Sequence, residues 1–275
     1  PKPLDPRLIY YVAPAVAKAA METGVARSSI TDWDAYKESL KERMGIGIRL
    51  IQEVRMKAQQ NPKRLVFGEV TSFKMLKAVQ TVAHEGIAHP VLLGNKNYIK
   101  KMIKEYQLDL DDVEIIDQQD REVQKLREDY ARILFEKRKR KGMTYEDAIQ
   151  QMCLTNHFGM MMVEAGDADA FLSGFSSKYA DVIRPAIQIA GTNNPHKHIA
   201  GMYIVHTKKG PYFFADTTVN VQPDPRTLVD TTLLVAEAVG HFNLEPVIAL
   251  VAYSNFGAIR GDSAIRANQA VEILH

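Results

Sequence analysis

Residues 173–185 read SGFSSKYADVIRP: small and hydroxylated residues, then an acid, then an arginine set against a proline. At a strand-to-helix turn such residues bring backbone N–H groups, hydroxyl donors and a planar guanidinium together, a set that suits phosphate or carboxylate. Gly68-Glu69, Asp216-Thr217-Thr218-Val219-Asn220 and Ser254-Asn255-Phe256-Gly257 have a similar composition. Each also reads as a plain turn with its capping residues. Arg184 likewise has two readings, an anion fork or a salt bridge to Asp181 or Asp216.

The other reactive residue types say less. Lys137-Arg138-Lys139-Arg140-Lys141 is either a nucleic-acid patch or a solvated helix end before Gly142. The net charge of +2 favours the helix end. His196 and His198 flank Lys197 without any recognised zinc spacing, so no metal site is expected. Cys153 lies between Met152 and Leu154 and reads as a buried small hydrophobe, and Met160-Met161-Met162 as core. Gly45-Ile46-Gly47 lacks the third glycine and the preceding strand of a dinucleotide fingerprint, and there is no P-loop.

Several elements must position these residues. Apolar spacing and Gly24 predict a helix from about residue 8. Thr31 or Asp32 caps a second over 33–43, and a third over 48–60 stops at Asn61-Pro62. Strands are expected at 64–68, 90–93, 113–116, 170–172, 201–207, 211–215 and 247–251, the hairpin turning at Lys208-Lys209-Gly210. Helices are expected over 73–85, 120–137, 144–164 and 226–241, with a last one from near Ser263; Pro185 is placed in a first helical turn. Strands alternating with helices argue for a mainly parallel α/β sheet, mixed in the part that holds the hairpin, with ligands beyond the strand carboxyl ends.

The chain has 275 residues, 46% of them hydrophobic and 25% charged, and a single cysteine. That composition fits a globular protein in a reducing, cytoplasmic setting. No apolar run approaches the ~18–20 residues of a membrane span, and the start is no signal peptide. It is also not a methionine, so the chain is expected to begin within a longer protein or to be processed.

Three stretches share one family likeness: GDADAFLSGFSSKYADVIRPAIQIAG (166–191), FFADTTVNVQPDP (213–225) and ALVAYSNFGAIRG (249–261). Together with RKRKGMTYEDA (138–148), they make residues 46–275 resemble the phosphate acetyl/butyryl transferases, or phosphotransacetylases. DPRLIYYVAPAVAKAAMETGVA (5–26) is similar to the end of the malic-enzyme portion of bacterial NADP-dependent malic enzymes, so residues 1–45 are expected to be its tail. The resemblance implies an isocitrate/isopropylmalate dehydrogenase-like α/β fold, a mixed sheet with helices on both faces and two subdomains around a cleft. It also implies metal-free exchange of acetyl-CoA and phosphate for acetyl phosphate and CoA.

By motif position, Arg138 and Arg184 match the family's cleft arginines. Ser173, Gly174, Ser176, Asp216, Thr217, Ser254 and Asn255 match its cleft loops. Of the family's usual turn after the first strand only the acid, Glu69, is kept. Members continue beyond a point matching His275, and their catalytic group lies there, so the domain is expected to be C-terminally incomplete and to have no catalytic residues of its own. The resulting expectation is a regulatory module of a malic enzyme that binds acetyl-CoA or another acyl-CoA and supports a homo-oligomer. NADP and a divalent metal would belong to the malic-enzyme portion alone. The alternative is an active phosphate acetyltransferase. Neither nucleic acid nor membrane is an expected partner.

Overall fold

Residues that alternate along three short strands send their side chains to two different cores. In the computed structural model, which describes residues 7–43, 46–192, 198–207, 210–254 and 261–275, the chain divides into two units. One is Arg55–Asn193; the other combines Pro1–Val54 with Asn194–His275.

Within Arg55–Asn193 the strands are β1 (Lys63–Phe67), β2 (Ala88–Leu93), β3 (Glu114–Ile116) and β4 (Ala170–Leu172). They form a wholly parallel sheet in the order β3-β2-β1-β4. Val66, Val91 and Leu93 face one core; Phe67 and Leu92 face the other. Period-two alternation requires this, and burial on both faces is the usual condition of a parallel sheet. The first face is covered by α6 (Gln124–Arg138), α7 (Tyr145–Met152), α8 (Thr155–Glu164) and α9 (Tyr179–Ile189), which bury Tyr130, Leu134, Met152, Phe158 and Met161. The second is covered by α4 (Phe73–His84) and α5 (Lys96–Glu105), through Leu76, Val79, Ile99 and Met102. Local sequence sets the helix starts: Ser72 accepts from Met75 N, Asn95 accepts from Tyr98 N, and Thr144 with Asp147 forms a capping box.

The other unit contains α1 (Arg7–Glu22), α2 (Trp33–Arg43), an antiparallel pair β5 (Met202–Thr207) and β6 (Gly210–Ala215), α10 (Pro225–Gly240) and α11 (Asp262–Leu274). The helix α3 (Ile46–Gln60) runs across the division. Asp32 caps α2 by accepting from Asp34 N and Ala35 N, and Asp224 caps α10, where Pro225 begins the helix. No helix among the described residues is long and apolar enough to cross a membrane.

Several expectations change. The mixed sheet resolves into a parallel sheet in one unit and a separate two-stranded ribbon in the other. Helix 144–164 is two helices, because the chain leaves helical geometry at Leu154 (φ −89°, ψ 129°). Helix α5 was not anticipated; Asn95 caps it instead of merely turning the chain. Residues 247–251 are not a strand: Val247 and Val251 are more than nine-tenths exposed, and no described strand pairs with them. Cys153 is half-buried, not buried, because it caps the end of α7. Pro185 lies inside α9, beyond its first turn, because the helix begins at Tyr179. His196, Lys208, Lys209 and Asn255 lie outside the described residues.

Candidate functional site

The sheet order reverses at β1: the chain passes from β1 to β2 and β3 on one side, and β4 joins β1 on the other. Loops leaving the carboxyl ends of strands diverge at such a point and open a crevice there. Here the diverging loops are Gly68–Thr71 after β1 and Ser173–Lys178 after β4, and between them lies a cavity of about 500 Å³. A second cavity of about 200 Å³ continues along the same sheet edge, and Gly68, Thr71 and Thr155 line both.

One aromatic ring sets the spacing of the walls. Phe171 of β4 lies against two glycines: a Cβ on Gly68 would stand 2.7 Å from the ring, and one on Gly159 of α8 would overlap it. Only residues without a side chain let α8 and the β1 turn come this close.

Glu69 closes the back of the cavity. It is almost fully buried, and its carboxylate accepts from Ser176 N and Ser177 N, each at 2.8 Å. Burial pushes the carboxyl up, but the Ser177 hydroxyl and the amides of Ser176, Ser177 and Phe175 outweigh it and hold it below its ordinary value. The loop after β4 is thereby folded onto an internal anion.

On the cavity's other walls α8 and α9 begin, and no side chain caps either helix. The first N–H groups of a helix have no partner one full turn back, so both starts can offer donors, although in α9 Asp181 N is already bonded to Lys178 O at 2.9 Å. Arg184 lines the cavity, is exposed, and forms no ion pair among the described residues of its own unit, so the Asp181 salt bridge is not made. Asn156 of α8 donates to Asp181 O at 3.0 Å and accepts from Ser173 Oγ at 2.7 Å. His157 lines the same cavity; burial pushes its imidazole down, opposed by the Gln188 side chain, so it stays neutral at neutral pH. A guanidinium, two helix starts and serine hydroxyls can hold an anion, and a neutral imidazole beside them can accept a proton.

Of the expected site residues, Ser176 and Arg184 line this cavity. Ser173 stands behind it, bonded to Asn156, and Gly174 belongs to the same loop. Arg138 ends α6 and does not line the cavity; its Nε is buried and has no hydrogen-bond partner among the described residues. The rest of the basic run is a helix end, with Lys137 paired to Glu164 and Lys139 to Glu136.

Asp216, Thr217 and Ser254 belong to the other unit. There Asp216 accepts from Gly201 N, Thr218 N, Val219 N and Asn220 N, and from Asn220 Nδ2. Burial raises its pKa, but the amides of Val219, Gly201, Asn220 and Thr218 bring it below the ordinary value. His198 pairs with the buried Asp230. Sequence reasoning missed Thr155, Asn156 and His157. The available signal was a Thr-Asn pair, a helix-start signature, inside an otherwise helical pattern.

A family model described as phosphate acetyl/butaryl transferase matches residues 49–275. An NADP-dependent malic enzyme of Escherichia coli is 35% identical over 280 residues, taking in 100% of this chain and 36% of that enzyme. The chain thus spans about a third of the length of the malic enzymes it matches. A phosphate acetyltransferase of Bacillus subtilis is 32% identical over 224 residues, covering 82% of this chain and 68% of that protein. The crystal structure of a phosphotransacetylase from Streptococcus pyogenes superposes with a TM-score of 0.72 at 25% identity, over 82% of this chain and 68% of that one. The matched span takes in the sheet and both loops that diverge from it, and the chain belongs to the phosphate acetyl/butaryl transferase family.

Proposed function

We propose that the cavity between the β1 and β4 loops binds the phosphate-bearing part of an acyl-CoA, acetyl-CoA foremost, and that the chain is the phosphotransacetylase-like module of an NADP-dependent malic enzyme. In this reading the module senses acyl-CoA as an effector, and the full protein oxidatively decarboxylates malate to pyruvate in the cytoplasm. NADP and a divalent metal are assigned to the malic-enzyme portion, not to this chain. The fold is read as the isocitrate/isopropylmalate dehydrogenase-like kind.

The observation that carries the proposal is Arg184: an exposed guanidinium beside two uncapped helix starts and without an ion pair among the described residues. Membership of the phosphate acetyl/butaryl transferase family and likeness to malic enzymes support the chemical class of the ligand. An oligomer-forming role is supported by the outer face of the β5–β6 ribbon, where Tyr203 pairs with Phe214 and Val205 with Tyr212, all exposed. The deciding experiment is malate-oxidation kinetics of the full-length protein with and without acetyl-CoA, for wild type and Arg184→Ala. A response to acetyl-CoA that Arg184→Ala abolishes supports the reading; indifference of the wild type refutes it.

A second reading, an active phosphate acetyltransferase, is favoured by His157, an imidazole that lines the same cavity and whose burial favours its neutral, proton-accepting form. CoA-dependent formation of acetyl phosphate above background would establish it.

A further inference from the structure

A proline inside a helix removes one backbone donor and leaves the carbonyl four residues earlier without its helical partner. In α9 the proline is Pro185 and the carbonyl is that of Asp181. A side chain has taken the missing donor's place: Asn156 Nδ2 reaches Asp181 O at 3.0 Å. The other end of the same carboxamide accepts from Ser173 Oγ at 2.7 Å. With a carbonyl on one side the amide cannot flip without setting oxygen against oxygen. One residue in the first turn of α8 thus ties the end of β4 to the interruption in α9. Arg184 adjoins that interruption, and Asn156, Asp181 and Arg184 line one cavity.

We infer that Asn156 is a positioning residue: its amide replaces the N–H that Pro185 lacks and thereby sets the Arg184 guanidinium over the cavity. The inference rests on the anion-binding reading proposed above. Without that amide the Asp181 carbonyl loses the side-chain donor that stands in for the missing N–H, and the first half of α9, which carries Arg184, loses this tie to α8. The need for Asn156 exists only because residue 185 is proline. An alanine there would supply the backbone donor itself, and Asn156 would become dispensable. A role in general packing, or direct contact with the ligand, would be indifferent to that change.

The test is a double-mutant cycle in the intact protein: Asn156→Ala with Pro185 kept and with Pro185→Ala, and Ser173→Ala as the control for the other end of the amide. Two readouts are taken, affinity for inorganic phosphate and hydrogen exchange of the α9 amides. With Pro185 in place, Asn156→Ala is expected to weaken phosphate binding about tenfold and to speed α9 exchange. In the Pro185→Ala background the same change should alter either readout less than about twofold. Equal losses in both backgrounds, no loss in either, or a full reproduction of the effect by Ser173→Ala would overturn the inference. If Asn156→Ala alone does not fold, recovery of the fold in the double variant supports the inference and its failure to recover overturns it. If the wild type does not bind phosphate, the anion reading fails separately, and exchange still decides the role of Asn156.

Discussion

The carboxylate of Glu69 receives the backbone N–H groups of Ser176 and Ser177, each at 2.8 Å. These residues lie on opposite sides of the point where the sheet order reverses, one after β1 and the other two after β4. The two amides that looked available to an incoming anion are therefore already committed to one that the protein supplies. An external anion must rely on Arg184 and on the starts of α8 and α9.

Replacing Glu69 by Gln removes the charge and turns one acceptor into a donor facing a donor. Hydrogen bonds to charged groups are worth about 1.5–3 kcal/mol, so Glu69→Gln should lower stability by about 2 kcal/mol in urea unfolding at neutral pH. The carboxyl is held below its ordinary value in the folded state. Its contribution is therefore present above the unfolded value of about pH 4.3 and lost as pH falls through the folded value. The gap between wild type and Glu69→Gln should close in acid; a gap unchanged at about pH 3 would contradict this account.

Arg184→Ala should leave stability within about 0.5 kcal/mol, since the side chain is exposed and forms no ion pair among the described residues. Phosphate affinity should fall about 10–100-fold, and Arg184→Lys should recover it only in part, because an ammonium cannot offer a planar fork. Calorimetric titration with phosphate reads both, and an unaltered affinity in Arg184→Ala would exclude this arginine from the site.

The ring of Phe171 leaves no room for a methyl group on α8 at residue 159. Gly159→Ala should cost about 1–3 kcal/mol through overpacking. Adding Phe171→Leu should return part of that loss, so the two changes will not be additive. Additive thermal shifts would show that the ring does not set this spacing.

Tyr130 is buried and donates to Asp167 Oδ2 at 2.5 Å. Burial first, then the bond to Asp167 and its charge, raise the phenol's pKa, with Arg64 opposing. The folded state thus keeps a proton that the unfolded chain gives up near pH ~10, and stability falls as pH rises beyond that value. Tyr130→Phe should cost about 1 kcal/mol at neutral pH and flatten the alkaline decline. Unfolding curves between pH ~8 and ~11 would reveal a decline of equal slope if the phenol were not its cause.

The alternation of strands and helices was legible because Leu65–Phe67 and Val91–Leu93 are short apolar runs between helical patterns. α5 escaped notice because its lysines mask a helical spacing at Ile99, Met102 and Ile103, all of them buried. Residues 247–251 have strand composition but no neighbouring strand among those described, and β propensity needs a partner to act on. Arg184 could be picked out from its setting beside a proline; that it has no carboxylate partner among the described residues depends on tertiary placement. Asn156 could be picked out only as part of a helix start; its task arises from a proline on another helix. Asp216 was read as facing a ligand, and the four amides around it became visible only once the chain had turned about it.

The two-residue break between α7 and α8 changes where charge resides. A single helix over residues 144–164 would have one positive pole, worth about half an elementary charge, near Thr144. At 1.5 Å per residue that pole would lie about 18 Å from Asn156, too far to act through water and salt. By stopping at Met152 and starting again at Thr155, the chain sets a second pole at the carboxyl edge of the sheet. An anion reaching that edge meets this pole beside the Arg184 guanidinium, which together must outweigh the Glu69 carboxylate at the back of the same cavity.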